Sequence, residues 1–507
     1  MVARNGLPFL LWPLLTAAYP LTAHLSPTPD ELLWFTVVSD SHTGMDLFGG
    51  KKDTENLSWA TSELVEVVQP RFLVHAGDLV DGTGGGLIPV GQFEEEWQAY
   101  RAILDGNGMS PDFYFDLPGN HDAYGDPDLP HYLQYSIQGE ATGELNHAWT
   151  VEDAGSKFLF VGLATSGTDG AFWPADNGGL DGTDQAFFQS AIAAHPDADI
   201  LCIFGHHPAS DNYISDGLGM LLDTMVSSGA SLYAYGHTHD HSMKWKAGAL
   251  QLNVASLGKS DDLQVGLIAF DGRGLSAKAF GVGRWPVVLV TAPTDVELGG
   301  DHKAAYMVDG SLPAAPVRAL VFSPGPVDQV SATLDQSIPV PMSEVKPNVW
   351  QGAFDATLLD PYPHTLQVLA TAGTEADSDS VVFYVKPPEP LPDPDVQDLV
   401  SQGDQTAADI PLQDLPEATD DPGDGGGAEA GETGDGGGAE AGGETGFGTG
   451  PETGDAGAVT GYIPAEKSGG CNSAAGNGPG GLPVLAVVGL WILLRLRRPD
   501  KATYCIS

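Results

Sequence analysis

The chain has 507 residues, of which 21 are basic and 68 acidic, so its formal net charge is −47. This length allows several domains with a sizeable core, and a hydrophobic content of 42% excludes disorder throughout. The acidic balance argues against nucleic-acid binding, because no basic face neutralises phosphates. The three cysteines, Cys202, Cys471 and Cys505, are too scattered for a disulfide framework or a thiolate site, so a metal would need His, Asp and Asn ligands.

The first residues have the pattern of a secretory signal peptide. Arg4 precedes an apolar stretch at 7–15, and small residues follow. A positive start, a short apolar core and a small residue near the exit are typical of such peptides. The alternative is a buried N-terminal helix, which Pro8, Pro13 and Pro20 oppose. We therefore predict a signal peptide at residues 1–25.

Residues 30–284 are predicted to form an α/β domain. Apolar runs typical of buried strands lie at 33–38, 71–75, 113–117, 200–204 and 232–235. Helical patterns lie between them at 57–68, 93–104, 185–194 and 217–226. Short β-rich runs alternating with helices favour an α/β sandwich flanked by helices.

An all-β domain is predicted next, at residues 285–387. After Trp285 the helical pattern ends, and Pro and Gly separate short strand-like runs at 286–290, 317–322, 329–334, 350–353, 365–370 and 378–385. This number and spacing of strands indicate a separate sandwich of Ig-like size.

An acidic, glycine-rich segment follows the two predicted domains. Residues 387–466 contain nineteen acidic residues and no Lys or Arg, with an imperfect repeat at 424–434 and 435–446. Such a sequence cannot bury enough apolar area to offset its chain entropy, so we predict a disordered linker at 388–468. Calcium binding is the weaker alternative, because the repeats lack carboxylates at the spacing of a calcium loop.

Residues 469–507 are predicted to be a sorting or anchor segment. Cys471 follows two glycines, an apolar run occupies 482–494, and the next residues include Arg495, Arg497 and Arg498. The run is short beside the ~20 residues of an ordinary spanning helix, and its arginines would remain cytoplasmic. These elements resemble the MYXO-CTERM type of bacterial surface-sorting tail, which implies export, processing near Cys471 and surface anchoring. A simple tail anchor that stays in the membrane is the alternative.

Five short polar motifs each follow an apolar run directly. They are Ser39-Asp40-Ser41-His42, Ala76-Gly77-Asp78, Pro118-Gly119-Asn120-His121-Asp122, Gly205-His206-His207-Pro208 and Tyr235-Gly236-His237-Thr238-His239. Each alone is more often a turn or a cap. In open α/β sheets, however, ligands bind where the carboxyl ends of strands converge, and these residue types suit divalent Mn, Fe or Zn. Together the motifs predict a metal site.

In order and composition the five motifs resemble those of the calcineurin-like metallophosphoesterases. The resemblance implies two divalent metal ions, Mn, Fe or Zn. One ion would be bound by Asp40, His42, Asp78 and His239, and the other by Asp78, Asn120, His206 and His237, with Asp78 bridging. His206 is preferred to His207 because the family's ligand lies two residues before a proline, here Pro208. His207 would then either line the pocket or pack without a chemical role.

Such an arrangement fits phosphate-ester hydrolysis. Two metals ~3.5–4 Å apart stabilise both the attacking and the leaving oxygen of an in-line displacement. Metal coordination lowers the pKa of bound water, so that a bridging hydroxide is available. His121 is the candidate general acid for the leaving alkoxide. We pair it with Asp122 as catalytic residues, although either Asp122 or Asp81 would be able to orient its ring.

A closer similarity extends beyond these motifs. Segments 93–100, 119–124 and 283–291 look like a eukaryotic transmembrane family with a lumenal metallophosphoesterase domain joined to an Ig-like domain. The similarity covers about residues 32–385 and implies that the two domains pack as a fixed unit. Acidic repeats and one short anchor replace the several spanning helices of that family.

These observations predict an exported hydrolase of small phosphate esters. By family analogy we expect a phosphodiesterase; the alternatives are a phosphomonoesterase of the same fold and a non-catalytic surface binding or scaffold protein. We expect attachment to the bacterial membrane or cell surface through the C-terminal tail, or release after tail processing. No nucleic-acid partner is expected, and the sequence identifies no protein partner.

Overall fold

The computed structural model describes residues 32–44, 53–82, 91–126, 128–153, 155–166, 178–259 and 262–386. The predicted signal peptide, acidic linker and C-terminal tail lie outside these residues. Within them, no helix has the length and apolar character needed to span a membrane.

The α/β part, residues 32–281, alternates strands and helices. Its strands are β1 (Leu32–Val38), β2 (Leu73–His75), β3 (Tyr114–Asp116), β4 (His147–Asp153), β5 (Ser156–Gly162), β6 (Gly178–Gly179), β7 (Ile200–Phe204), β8 (Ile214–Asp216), β9 (Leu232–Tyr235), β10 (Ser242–Lys246), β11 (Ala249–Asn253), β12 (Gln264–Asp271) and β13 (Gly274–Gly281). Its helices are α1 (Asp53–Thr61), α2 (Glu63–Val68), α3 (Glu94–Gly106), α4 (Pro130–Tyr135), α5 (Ile137–Thr142), α6 (Gly182–Ala194) and α7 (Leu218–Ser228).

Two sheets of the α/β part pack face to face. The first has the strand order β13-β12-β1-β2-β3, and the second β10-β11-β9-β7-β5-β4. The strands β1, β2 and β3 are parallel, as are β5, β7, β9 and β11. One apolar cluster contains Phe35 and Val74 from the first sheet together with Phe160, Phe204 and Leu252 from the second. The sheets therefore share a core, and the parallel strands of each end near the same edge.

Helices cover the outer face of each sheet. Trp97 and Tyr100 of α3 lie in one apolar cluster with Leu73 of β2, and Phe188 of α6 and Leu221 of α7 lie in another with the second sheet. Each of these helices buries apolar side chains on a sheet, and this burial stabilises it. The resulting helix–sheet–sheet–helix layering confirms the predicted mixed α/β fold.

The β part, residues 287–386, consists of two further sheets. Its strands are β14 (Val287–Ala292), β15 (Val308–Asp309), β16 (Ala315–Phe322), β17 (Gln329–Leu334), β18 (Ile338–Val340), β19 (Ser343–Lys346), β20 (Val349–Phe354), β21 (Pro363–Ala372) and β22 (Glu375–Lys386). They form the orders β14-β16-β20-β19 and β15-β22-β21-β17-β18. A single cluster joins Val290 and Val317 of the first sheet to Leu366 and Phe383 of the second. The Ig-like relationship of this sandwich stays a prediction.

A buried ion pair joins the α/β part to the β part. The guanidinium of Arg318 in β16 donates a hydrogen bond to Asp271 at the end of β12, and the two residues are 0% and 2% exposed. Thr291 also donates to Asp271, at 2.9 Å. Nearby, Lys278 of β13 donates to the carboxylate of Asp377 in β22 at 2.7 Å. The two parts are therefore held in a defined relation by polar as well as apolar contacts.

We predict that Arg318→Met lowers the free energy of unfolding by about 3–5 kcal/mol, because it leaves the Asp271 carboxylate buried without its partner. Chemical denaturation measures this loss. Arg273→Met is the control: it removes a partly exposed pair with Asp199 and should cost about 0–1 kcal/mol. If both variants lower the free energy of unfolding by the same small amount, the buried pair does not stabilise the contact between the α/β part and the β part.

Candidate metal centre

All five motifs follow parallel strands whose carboxyl ends converge. Three come after β1, β2 and β3 of the first sheet, and two come after β7 and β9 of the second. Because the sheets pack face to face, the loops after these strands meet at one edge of the sandwich. The structure thus brings together side chains that lie nearly two hundred positions apart in the sequence.

The first group of side chains contains the four predicted ligands of one metal ion. Nε2 of His239 lies 3.2 Å from Oδ1 of Asp40 and 3.2 Å from Nε2 of His42. Nε2 of His42 lies 3.6 Å from Oδ2 of Asp78. One potential ligand atom of each of these four residues lies within 4.8 Å of the other three. This spacing is suitable for simultaneous contact with one cation.

The second group shares Asp78 with the first. Nε2 of His206 lies 3.2 Å from Oδ2 of Asp78 and 3.1 Å from Oδ1 of Asn120. Oδ1 of Asn120 also lies 3.0 Å from Nδ1 of His237. The structure therefore brings together the four predicted ligands of the second ion, with Asp78 between the two groups.

Backbone conformation at the strand ends aims these side chains inward. Five of the seven predicted ligands have φ in the left-handed region, which non-glycine residues seldom adopt: Asp40 (54°), His42 (45°), Asp78 (53°), His237 (71°) and His239 (59°). Such conformations persist only where the surrounding structure holds them, and they are concentrated at functional sites. Glycine is also required beside them, since a Cβ on Gly77 would lie 2.5 Å from the ring of His206.

Main-chain groups fix which ligand atoms point toward the centre. Nδ1 of His206 donates to the carbonyl of Ala76 at 2.7 Å, so Nε2 is left to face Asp78 and Asn120. Oδ2 of Asp40 accepts from the backbone N–H of His237 at 3.0 Å, which leaves Oδ1 facing His239. These contacts orient the side chains before any cation binds.

The charges in this pocket show that a cation would fit it. Asp40 and Asp78 are 0% and 1% exposed, and burial alone would raise their pKa values. Nearby histidines nevertheless hold the pKa of both carboxyls well below the usual value, so both are anionic. Burial likewise opposes charge on His206, but Asp78 raises its pKa to about 9.

The potential ligand atoms in this pocket are of the types that bind divalent metals. Oδ1 of Asp40 is buried and makes no hydrogen bond within the described part of the chain, although it faces two imidazoles. The facing Nε2 atoms of His42 and His239 can share at most one proton between them. Carboxylate, amide oxygen and imidazole ligands suit Mn, Fe or Zn. A positive ion at this point would satisfy all of these groups.

Residues 33–241 match the calcineurin-like phosphoesterase family. The chain carries a calcineurin-like phosphoesterase domain. All five motifs lie within the matched residues, and the match places the domain in a class of metal-dependent phosphoesterases.

Two curated relatives extend this comparison. The domain is similar to an Arabidopsis thaliana protein whose name describes it as a metallophosphoesterase, with 28% identity over 228 residues, or 42% of this chain and 30% of that protein. Mouse transmembrane protein 62 is 25% identical over 320 residues, or 60% of this chain and 48% of that protein. The predicted resemblance to the phosphoesterase family and to a eukaryotic transmembrane protein is thereby confirmed. The chain spans less than half of the length of either relative.

A solved structure gives a more distant likeness. GAP50, the anchor in the inner membrane complex of Plasmodium, matches with a TM-score of 0.35 and 14% identity, over 50% of this chain and 85% of that chain.

His121 lies beside the two ligand groups of the phosphoesterase domain. Its Nε2 is 3.9 Å from Oδ2 of Asp78, and its backbone N–H donates to Oδ1 of Asp78 at 2.9 Å. Its Nδ1 donates to the backbone carbonyl of Asp81. Burial lowers the pKa of His121 to about 3, against the opposing effect of Asp78, so the ring is neutral here.

The structure places Asp122 differently from the predicted catalytic pair. Its carboxylate accepts hydrogen bonds from the backbone N–H groups of Leu79, Val80 and Gly119, at 2.7–3.1 Å. Asp122 thus joins the loop after β2 to the loop after β3, while Asp81 holds the ring of His121. The sequence left this choice open because both carboxylates are adjacent to ligand motifs.

Three further histidines, His75, His207 and His241, contact groups in or near the motif loops. Nε2 of His75 lies 3.0 Å from the hydroxyl of Ser41, and Nδ1 of His241 donates to the carbonyl of Asn253 at 3.0 Å. His207 is fully buried, with Nδ1 3.1 Å from the hydroxyl of Thr165. Thr165 also accepts from the backbone N–H of His206, at 2.9 Å. It is a supporting residue that no sequence motif marked.

We predict that Asp122→Ala lowers the free energy of unfolding by about 1–3 kcal/mol for each backbone donor left without an acceptor. Chemical denaturation measures this. Asp112→Ala, a matched change at an exposed position, should stay within about 0.5 kcal/mol of the parent. Lost activity at unchanged stability would instead favour a catalytic role for Asp122.

Proposed function

We propose that this protein is a dinuclear-metal hydrolase of phosphate esters and acts as a phosphodiesterase. The observation that carries the proposal is the pair of ligand groups sharing Asp78, within a calcineurin-like phosphoesterase domain. One ion would be held by Asp40, His42, Asp78 and His239. The other would be held by Asp78, Asn120, His206 and His237. Mn, Fe and Zn are the candidate metals, since each accepts mixed oxygen and imidazole ligands.

Two side chains, Asp78 and His121, would position the ions and transfer the proton. When bound, two divalent ions supply Lewis acidity toward the phosphoryl group and acidify water. Asp78 lies between the ligand groups and would fix the separation of the ions. Nε2 of His121 would give a proton to the leaving oxygen, and the contact of Nδ1 with the Asp81 carbonyl supports this role because it leaves Nε2 facing the pocket. The negative charge of a bound phosphate ester favours the protonated ring that this step requires.

We further propose that the protein is exported and held at the cell surface. The support comes from sequence alone: the signal-peptide pattern at 1–25, and the apolar run at 482–494 followed by arginines. In this proposal the acidic segment at 388–468 is a solvated spacer between the surface and the folded part. The ester substrate would then be a small extracellular or periplasmic molecule.

The substrate class is tested with metal-free protein reloaded with Mn²⁺, Fe²⁺ or Zn²⁺. We expect about two ions per chain by elemental analysis and faster hydrolysis of bis(p-nitrophenyl) phosphate than of p-nitrophenyl phosphate. Asp78→Asn should lose bound metal and activity together, because the amide has no charge and only one oxygen, whereas the carboxylate has an oxygen for each ligand group. Faster cleavage of the monoester would make the protein a phosphomonoesterase. No cleavage of either ester by protein with two ions would favour a scaffold role.

We predict that His121→Ala lowers kcat by about 10²- to 10⁴-fold, the usual contribution of a general acid. Metal content should stay at the parent value, because His121 is outside both ligand groups. Steady-state kinetics and elemental analysis of the same preparation measure the two effects. Loss of metal in this variant would show that His121 is a ligand and not a proton donor.

A further inference from the structure

Lys259 is a basic residue at the phosphoesterase centre that lies outside all five motifs. Its Nζ is 3.3 Å from Nε2 of His121, the ring nitrogen that faces Asp78. The side chain is half-buried. An ammonium group therefore lies beside the point where the leaving oxygen of a phosphate ester would be protonated.

The loop that carries Lys259 is fastened to the ligand loop after β1. The hydroxyl of Ser256 donates to the carbonyl of Asp40 at 2.7 Å and accepts from the backbone N–H of Lys259, also at 2.7 Å. The N–H of Gly258 donates to the same carbonyl of Asp40 at 3.0 Å. A Cβ on Gly258 would lie 2.0 Å from the carbonyl oxygen of Ser41, so only glycine permits this approach. The position of Lys259 is thus set by the backbone of a predicted metal ligand.

The negative charge around the centre favours a basic residue at the place where a phosphate ester would bind. Asp40, Asp78 and Asp81 place three carboxylates in or beside the pocket, and the whole chain has a net charge of −47. Two bound divalent ions would neutralise these carboxylates, but a phosphate ester is itself an anion and the negative net charge of the chain still opposes its approach. A cation that is not one of the metals would offset part of this repulsion on the side of His121.

We propose that Lys259 is a substrate-binding residue whose ammonium group donates a hydrogen bond to a phosphoryl oxygen of the ester, next to Nε2 of His121. This inference rests on the proposed function, because it assigns a ligand contact to the same site. The contact is charge-assisted, so its loss removes more binding energy than the loss of a neutral hydrogen bond. Inorganic phosphate contains the same oxygens and is a sufficient probe.

The test compares Lys259→Met, Lys259→Arg and parent, each loaded with Mn²⁺. Calorimetric titration with inorganic phosphate should give a Kd about 10- to 100-fold higher for Lys259→Met, the range expected for a hydrogen bond to a charged group. Lys259→Arg should recover part of this loss, because it keeps the charge. Lys244→Met is the control: it removes the same charge from an exposed position on β10 and should bind phosphate like the parent.

The possible outcomes separate this inference from the proposed function. A parent-like Kd for Lys259→Met at unchanged metal content overturns it, whether or not esters are hydrolysed. Loss of metal in both Lys259 variants would show that the residue supports the metal centre, and this result also overturns the inference that Lys259 binds substrate. If parent protein binds phosphate through Lys259 yet cleaves no ester, the inference stands and the hydrolase proposal fails.

Discussion

The burial of two carboxylates, Asp40 and Asp78, constrains everything around them. Each is anionic and almost completely removed from water, and such a charge is costly unless partners compensate it. Four imidazoles supply these partners, and His206 and His239 reach the carboxylates only because strand ends from two sheets meet at one edge. The unfavourable left-handed backbone at five of the ligand positions follows from the same requirement, since the loops must turn sharply to aim side chains into one small volume.

The sequence was sufficient to predict which residues gather at this edge. Each motif directly follows an apolar run, and the carboxyl ends of parallel strands are where such loops converge. The choice of His206 over His207 came from the position of Pro208 in the resemblance. In the structure Nε2 of His206 faces Asp78 and Asn120, and Nδ1 of His207 contacts Thr165. His207 also offers a ring nitrogen within 4.8 Å of His206 and His237, so the choice between the two histidines stays a prediction.

Several strands and side-chain contacts were not predicted from the sequence. In the α/β part, β4 to β6, β8 and β10 to β13 were not predicted, and in β4 and β10 polar residues separate the apolar ones, so that neither strand is a continuous apolar run. The predicted helix at 57–68 is divided at Ser62 into α1 and α2. Lys259 belongs to none of the five motifs. Its position beside His121 depends on a loop that packs against the strand end of β1. The role of Asp122 likewise depends on backbone donors contributed by another loop.

The ion pair between Arg318 and Asp271 has a consequence for modularity. A chain shortened to end after β13 would leave the Asp271 carboxylate without its guanidinium and its Thr291 donor, and Lys278 without Asp377. Each half thus contains a charge whose counterion is encoded in the other. Exchange or loss of the α/β part or the β part during evolution would therefore need compensating changes in the other. The two parts are expected to be inherited together.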